Sequence, residues 1–446
     1  MYRAASASAT FCILILASTV FPASAQTPNG KAKDDSEKLQ FVVYLSRHGV
    51  RSPTGKTAQY NLYAAAPWPE WDVPPGHLTP HGYKLMTLFG AYDRARLVAD
   101  GLLAPNGCTD AAHVTILADS DQRTRETGKA IAEGMFPGCT VSVHALPEGT
   151  NDPLFHSLPT QITPSDRALA LAAVAGRIGG DPKNLTEAYR PQLAVLERVL
   201  AGCSGAPPPT RTSLFDVPSS LGPGKGDHPV ELRGPLSVAS TLSENLLLEY
   251  TDGMSGSNLA WNCMDQPTLR SVMQLHTAAA DFAQRTPVIA RMYALNLLDH
   301  VLKSLEQSAT GKPVAGAPGT PGGRVLFLVG HDTNIATVAG ALGLTWIIDG
   351  RRDDTPPGGA LVFELWRSAA GAYSVRMEYT AQTLDQMRDA SALTLDSPPA
   401  RVPVFIPGCS QPDQSCNLGE FSAAVHRAID PARSAGSQDR SRKSPF

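Results

Sequence analysis

The run Arg47-His48-Gly49-Val50-Arg51-Ser52-Pro53 places an imidazole between two guanidinium groups. Guanidinium groups bind phosphate oxygens through paired hydrogen bonds, so Arg47 and Arg51 suit a phosphoryl group held against His48. A neutral imidazole can attack phosphorus to form a phosphohistidine, dividing one difficult displacement into two easier ones. Gly49 permits a tight backbone path and Pro53 stiffens the exit. A second pair, His331-Asp332, supplies a carboxyl able to protonate a leaving oxygen and a further donor for the charge on the transferring group. Each feature also has a plainer reading. Arg-His-Gly alone is an ordinary salt-bridged loop, Asp332 a helix cap beside an incidental histidine, and Asp119–Arg125, which contains Arg123, a solvated charged turn.

What separates these readings is the scaffold. Residues 40–45 form a continuous apolar, β-rich run that predicts a buried strand, and the first cluster follows it at once. Arg324–Gly330 repeats the arrangement, ending in His331-Asp332, after which Thr333–Leu344 has helical character. Asp332 thereby opens a helix, whose N-terminal amides favour anions. Ligands of open α/β sheets bind beyond the carboxyl ends of strands, and both clusters fall at such ends. Whether the two strands are neighbours is left open by the sequence.

Thr79-Pro80 reads as N-cap and first residue of a helix with Leu85, Leu88, Phe89 and Tyr92 on its core face. Val114–Ala118 and Val141–Ala145 read as strands around a helix over Glu126–Phe136, and Ala360–Trp366 and Tyr373–Tyr379 as a strand pair. The segments 165–201, 236–250, 267–283 and 286–307 have helical spacing. The Pro/Gly-rich stretches Gly205–Gly226 and Gly311–Gly323 are expected as surface loops. The pattern predicts an α/β fold, a central mostly parallel sheet flanked by helices and built from both ends of the chain, with an inserted, mainly helical cap domain. The expected boundaries are a signal peptide at 1–25, a polar leader at 26–36, the α/β domain at 37–160 and 286–431, the cap at 161–285 and a polar tail at 432–446.

Composition narrows the function classes. The chain has 446 residues, 42% hydrophobic and 18% charged, as an ordinary folded enzyme has, and a net charge of −3 excludes a general nucleic-acid binder. Arg3, the apolar run Phe11–Val20 and Ala23-Ser24-Ala25 read as a secretory signal too short to span a bilayer, which predicts a periplasmic or secreted protein with no membrane partner. Beyond Cys12, the six cysteines Cys108, Cys139, Cys203, Cys263, Cys409 and Cys416 suit three disulfides and permit fifteen pairings. Sequence order favours Cys108–Cys139 and Cys409–Cys416, leaving Cys203–Cys263. No CxxC spacing is present, and neither a metal nor another cofactor is expected.

The run Arg47–Thr54 resembles the RHGxRxP signature of the histidine acid phosphatases, and His331-Asp332-Thr333-Asn334 resembles their distal HD motif. The similarity to bacterial periplasmic phytases and the related glucose-1-phosphatases extends over most of the mature chain, through Leu97–Leu103, Asp121–Arg125, Gln284–Pro287, Thr355–Gly359 and Leu361–Glu364. This resemblance implies a phosphoglycerate mutase-like fold and hydrolysis of phosphate monoesters. It implies His48 as nucleophile and Asp332 as general acid, with Arg47, Arg51, Arg123 and His331 as phosphate ligands. Thr54 and Glu244 correspond to further substrate-pocket residues, although a solvent-facing helical position is the plainer reading of Glu244.

Substrate is less sharply marked. Phytases of this type carry a lysine directly after the RHGxRxPT run, where this chain has Gly55 before Lys56, and an aromatic residue where it has Ala280. Thr333 leans towards phytases, since serine is usual in the glucose-1-phosphatases. The expectation is a monomeric acid phosphomonoesterase acting on phytate and other small phosphate monoesters. The alternatives are a sugar phosphatase and an exported phosphate-ester binding protein without turnover. A phosphomutase fits an exported disulfide-bearing chain poorly.

Overall fold

The structure, a computed structural model, describes residues 37–156, 162–203, 211–226 and 228–429. The expected signal peptide, the leader and the C-terminal tail lie outside the described residues.

Strand β1 (Lys38–Arg47) occupies the centre of an eight-stranded sheet. To one side lie β4 (Val325–Gly330), β2 (Val114–Ala118) and β3 (Val143–His144), all parallel in that order. To the other lie β5 (Ala360–Arg367), β6 (Tyr373–Ala381) and β7 (Ala400–Pro403), antiparallel in turn, with β8 (Cys416–Asn417) also paired to β6. The sheet is therefore mixed, with a parallel core and an antiparallel flank. The reason is local: Ser368–Ala372 closes a tight hairpin that returns β6 against β5, where a parallel neighbour would need a long crossover.

Both faces of β1 are covered, as its unbroken apolar run requires. Val43 and Leu45 pack with Leu297, Leu298 and Val301 of α7 (Pro287–Thr310), whereas Val42 and Tyr44 face Phe89 of α1 (Pro80–Ala99) and Ile131 of α2 (Gln122–Met135). Burial of such side chains contributes roughly 1.5–3 kcal/mol each. Thr79 caps α1, its hydroxyl accepting the Gly82 N–H at 2.9 Å. A third cluster unites α3 (Pro164–Arg177), α4 (Arg190–Leu200), α5 (Pro235–Thr251) and α6 (Gln266–Ala283) around Val174, Leu196, Leu246 and Leu269. Val50, Leu85, Leu384 and Met387 join it from the sheet side.

Three expectations change. The charged turn at Asp119–Arg125 is largely helix, because α2 begins at Gln122 with Asp121 as its cap residue. The strand expected at Val141–Ala145 shrinks to Val143–His144 at the sheet edge. The loop at Gly205–Gly226, of which 204–210 lie outside the described residues, ends in a small hairpin pairing Ser220–Pro223 with Val230–Arg233. Disulfides join Cys108 to Cys139, Cys203 to Cys263 and Cys409 to Cys416, with Cα atoms 5.5, 5.9 and 5.2 Å apart. Among the described residues no helix is long and apolar enough to cross a membrane.

Candidate active site

The parallel register of β1 and β4 sets Arg47 opposite Gly330, so His48 and His331 leave the sheet together. The His48 N–H donates to Gly330 O at 2.9 Å, and the two imidazole rings stand 5.6 Å apart at 69°. On the other side, the Arg47 N–H donates to Gly359 O and the Gly358 N–H to His48 O, both at 2.9 Å. The loop is pinned from below as well. The Gly49 N–H donates to Thr127 Oγ1 at 2.9 Å, and a Cβ on Gly82 of α1 would lie 2.1 Å from Val50 O, so only glycine lets the helix approach so closely.

His48 is 2% exposed. Its Nδ1 lies 2.8 Å from Gly49 O, an acceptor, which assigns the proton to Nδ1 and leaves the Nε2 lone pair unprotonated. Burial, followed by the positive charges of Arg47, Arg123, Arg51 and the neighbouring His331, holds its pKa well below the usual histidine range. The ring therefore stays neutral in acid, the state a nucleophile needs.

Arg47, 1% exposed, donates through Nη1 to Thr355 O at 2.7 Å and through Nη2 to Glu244 Oε1. Arg51 donates to the same Glu244 oxygen at 3.0 Å. Glu244 thus holds two guanidinium groups, with its side chain only 14% exposed. Burial alone would raise its pKa, but Arg51, Arg47 and His276 overcome that and keep it firmly ionised. The solvent-facing alternative fails because α5 is buried almost all round: Leu242, Leu246, Leu247 and Leu248 cover successive faces. Arg123 enters from the first turn of α2, paired with Asp121 at 2.6 Å, and its Nη2 lies 3.5 Å from His331 Nδ1. Thr54 is exposed and lies at the rim: a Cβ on Gly76 would meet Thr54 Cγ2 at 3.4 Å and Arg123 Nη1 at 3.6 Å.

Asp332 is the first residue of α8 (Asp332–Leu342), and its Oδ1 accepts the Thr333 N–H at 2.8 Å. Its Oδ2 faces Arg47 Nη2 at 3.7 Å and His276 Nε2 at 3.9 Å. Burial and Glu244 push its pKa up, Arg47 and His276 pull it down, and the net direction is down. The free site thus favours the carboxylate, where the sequence suggests a carboxyl that keeps its proton in acid. A bound phosphoryl anion would neutralise Arg47 and move Asp332 back towards the acid form.

Two residues of this site escape motif reasoning. Asp119, fully buried just beyond β2, accepts the Nε2–H of His331 at 2.5 Å and the Nε2–H of His156 at 2.8 Å. The available signal was position, because Asp119 follows an apolar strand directly, as His48 and His331 do. These N···O separations are those of hydrogen bonds, shorter than the roughly 3.3 Å between ligand atoms of a tetrahedral zinc site. The other close group, Glu244, His276 and Asp332, already faces the Arg47 guanidinium, which occupies the place of a cation.

Beside Asp332 opens a cavity of about 490 Å³, walled by Ser240, Thr241 and His276 and by the small side chains of Ala279, Ala280 and Ala283. The constellation is a ring of guanidinium and imidazole groups around a neutral imidazole, with a carboxyl at the mouth. The family model described as the histidine phosphatase superfamily (branch 2) matches residues 38–199 and 235–380, more than half of the chain.

The chain belongs to the histidine phosphatase superfamily, branch 2. It is 38% identical over 407 residues to the phytase AppA of Escherichia coli, covering 89% of this chain and 93% of that one. It is 31% identical over 400 residues to a glucose-1-phosphatase of Salmonella typhimurium, covering 88% and 92%. A Hafnia alvei phytase solved in complex with myo-inositol hexakis sulphate superposes with a TM-score of 0.81 at 38% identity, covering 89% of this chain and 98% of that one. Within this superfamily the protein is an acid phosphatase, a hydrolase of phosphate monoesters.

Proposed function

We propose that this histidine phosphatase hydrolyses phytate and smaller phosphate monoesters through a phosphohistidine. The observation that carries the reading is the shared strand end, where the His48 ring, held neutral, meets His331, Asp332 and three arginines. In the first step His48 Nε2 forms a bond to phosphorus as the ester P–O bond breaks, and Asp332 gives its proton to the departing alkoxide. Arg47, Arg51, Arg123 and His331 hold the oxygens of the transferring group, the largest expected catalytic contribution. In the second step water attacks the phosphohistidine, Asp332 takes its proton, and the P–N bond breaks to release phosphate and neutral His48.

The choice of phytate is supported by the Hafnia alvei relative, which binds an inositol hexakis sulphate, and by the cavity beside Asp332. Its volume is typical of small-molecule sites, and alanines on α6 leave room for a ring with several substituents. Gly55, which stands before Lys56 where the phytases carry the lysine directly after Thr, leaves the sugar phosphatase as the alternative. The signal-like N-terminus and the three disulfides support action in the periplasm or outside the cell.

The deciding experiment compares phosphate release from phytate and from glucose 1-phosphate at acidic pH, with alkaline quench on the millisecond scale, since a phosphohistidine P–N bond survives base and hydrolyses in acid. Greater kcat/KM on phytate, with phosphate trapped on His48 and lost in His48→Ala, is the expected result. Preference for glucose 1-phosphate would replace the substrate class, and turnover without trapped phosphate would overturn the mechanism.

A further inference from the structure

Asp119 Oδ2 is shared by two imidazole rings, and the phosphatase reading employs only one of them. His331 Nε2 and His156 Nε2 donate to it at 2.5 and 2.8 Å, and the two rings lie 5.7 Å apart. Asp119 Oδ1 accepts the Ser120 N–H at 2.7 Å. A carboxylate without solvent contact needs such donors, and removing one leaves a buried charge less satisfied and freer to turn.

His156 is attached to the same frame as His331. Its backbone N–H donates to Asp152 O at 2.8 Å, and the preceding Phe155 O accepts from Asn334 Nδ2 at 2.7 Å. Asn334 Oδ1 in turn accepts the His331 N–H at 2.9 Å. The loop carrying His156 and the turn carrying His331 are thus one hydrogen-bonded unit. The side chain of His156 is 45% exposed, whereas His331 is buried.

We propose that His156 is a positioning residue for phosphate capture, acting through Asp119. By sharing the carboxylate it fixes the orientation in which Asp119 receives His331 Nε2–H. That holds His331 Nδ1, beside Arg123, towards the phosphoryl oxygens. The inference rests on the reading of His331 as a phosphate ligand.

The same geometry couples two proton sites. The charged and titratable groups around His156 are Asp119 from the end of β2, Asp121 at the start of α2, Asp152 from its own loop, and His331. Arg123 lies beyond His331, and His300 of α7 faces Asp152. The hydrogen bond to Asp119 raises the affinity of His156 for its proton, so in acid a cationic ring shares the carboxylate that receives His331 Nε2–H.

The test uses the full enzyme with His156→Ala and His156→Asn, inhibition by inorganic phosphate, kcat/KM for p-nitrophenyl phosphate, and the ¹⁵N NMR signal of His331 Nε2. In His156→Ala, phosphate inhibition and kcat/KM are expected to weaken about tenfold, as loss of a hydrogen bond to a charged group predicts. In His156→Asn the amide restores a donor, so most of that loss is recovered. The ¹⁵N signal of His331 Nε2 moves in His156→Ala, because the carboxylate that receives its proton has lost its second donor, and returns most of the way in His156→Asn. Phosphate affinity and kcat/KM in His156→Ala within about twofold of wild type, or an unmoved His331 Nε2 signal in His156→Ala, overturns the inference. His331→Ala separates the two levels: if it leaves phosphate inhibition intact, the underlying assignment of His331 fails instead.

Discussion

The ring of His48 stands 5.6 Å from that of His331, edge to face, although most of the chain separates them in sequence. The contact follows from one strand pairing, and it brings the cation shell of both motifs to bear on a single imidazole.

That shell governs the acid side of activity. The His48 pKa is depressed from the usual value of about 6.5, so the nucleophile is lost only as pH falls well below it. The kcat/KM profile for p-nitrophenyl phosphate is expected to show no acid limb near pH 6.5. An inflection there that vanishes in the phosphate-loaded enzyme would mean His48 titrates as an ordinary histidine.

Asp332 should matter in proportion to the leaving group. Replacing it with Asn is expected to lower kcat for alkyl esters by about 10²–10⁴-fold, the usual worth of a general acid, and for p-nitrophenyl phosphate by about tenfold or less. Equal losses on both would remove the proton-donor role.

Glu244 acts on Asp332 through charge. Its carboxylate raises the Asp332 pKa, so Glu244→Gln should let Asp332 lose its proton at lower pH. The alkaline limb of kcat is expected to move towards acid by about 0.5–1 unit. A limb that stays or moves the other way contradicts the coupling.

The fold itself should favour acid. Glu249 in α5 is 1% exposed, and its Oε2 accepts the Ala260 N–H at 3.0 Å. Burial lifts its pKa to about 8, so the folded state keeps a proton that the unfolded chain releases near pH 4.3. The associated stability is complete below that lower value and disappears as pH rises through about 8. Glu249→Gln, neutral at all pH, is expected to raise the melting temperature at pH 8 by about 2–5 °C and leave it unchanged at pH 4. A rise at both pH values would assign the gain to packing instead.

The parts of this site that were legible in sequence are those whose signal is local. The apolar runs 40–45 and Arg324–Gly330, the cap at Thr79-Pro80 and the strand Val114–Ala118 all reappear, because a buried strand and a capped helix are written in consecutive residues. Asp119 and His156 could not be read the same way. Their significance lies in a hydrogen bond shared across 37 positions, and the only local signal was the place of Asp119 directly after an apolar strand. Glu244 was ambiguous for a related reason: one charged side chain on a helix reveals its direction only when the burial of the other faces is known. Helix α2 began earlier than its periodicity suggested, since Thr124 bonds back to Asp119 O and Asp121 O and draws the polar stretch into the first turn.

The pairing of β1 with β4 also bears on how the chain matures. The disulfides close loops of 31, 60 and 7 residues, so each can be completed within its own region. None spans the join between the two catalytic motifs. A nascent chain that has not yet delivered Val325–Gly330 can have closed Cys108–Cys139 and Cys203–Cys263 but not Cys409–Cys416, and its His48 has neither His331 nor Asp332 beside it.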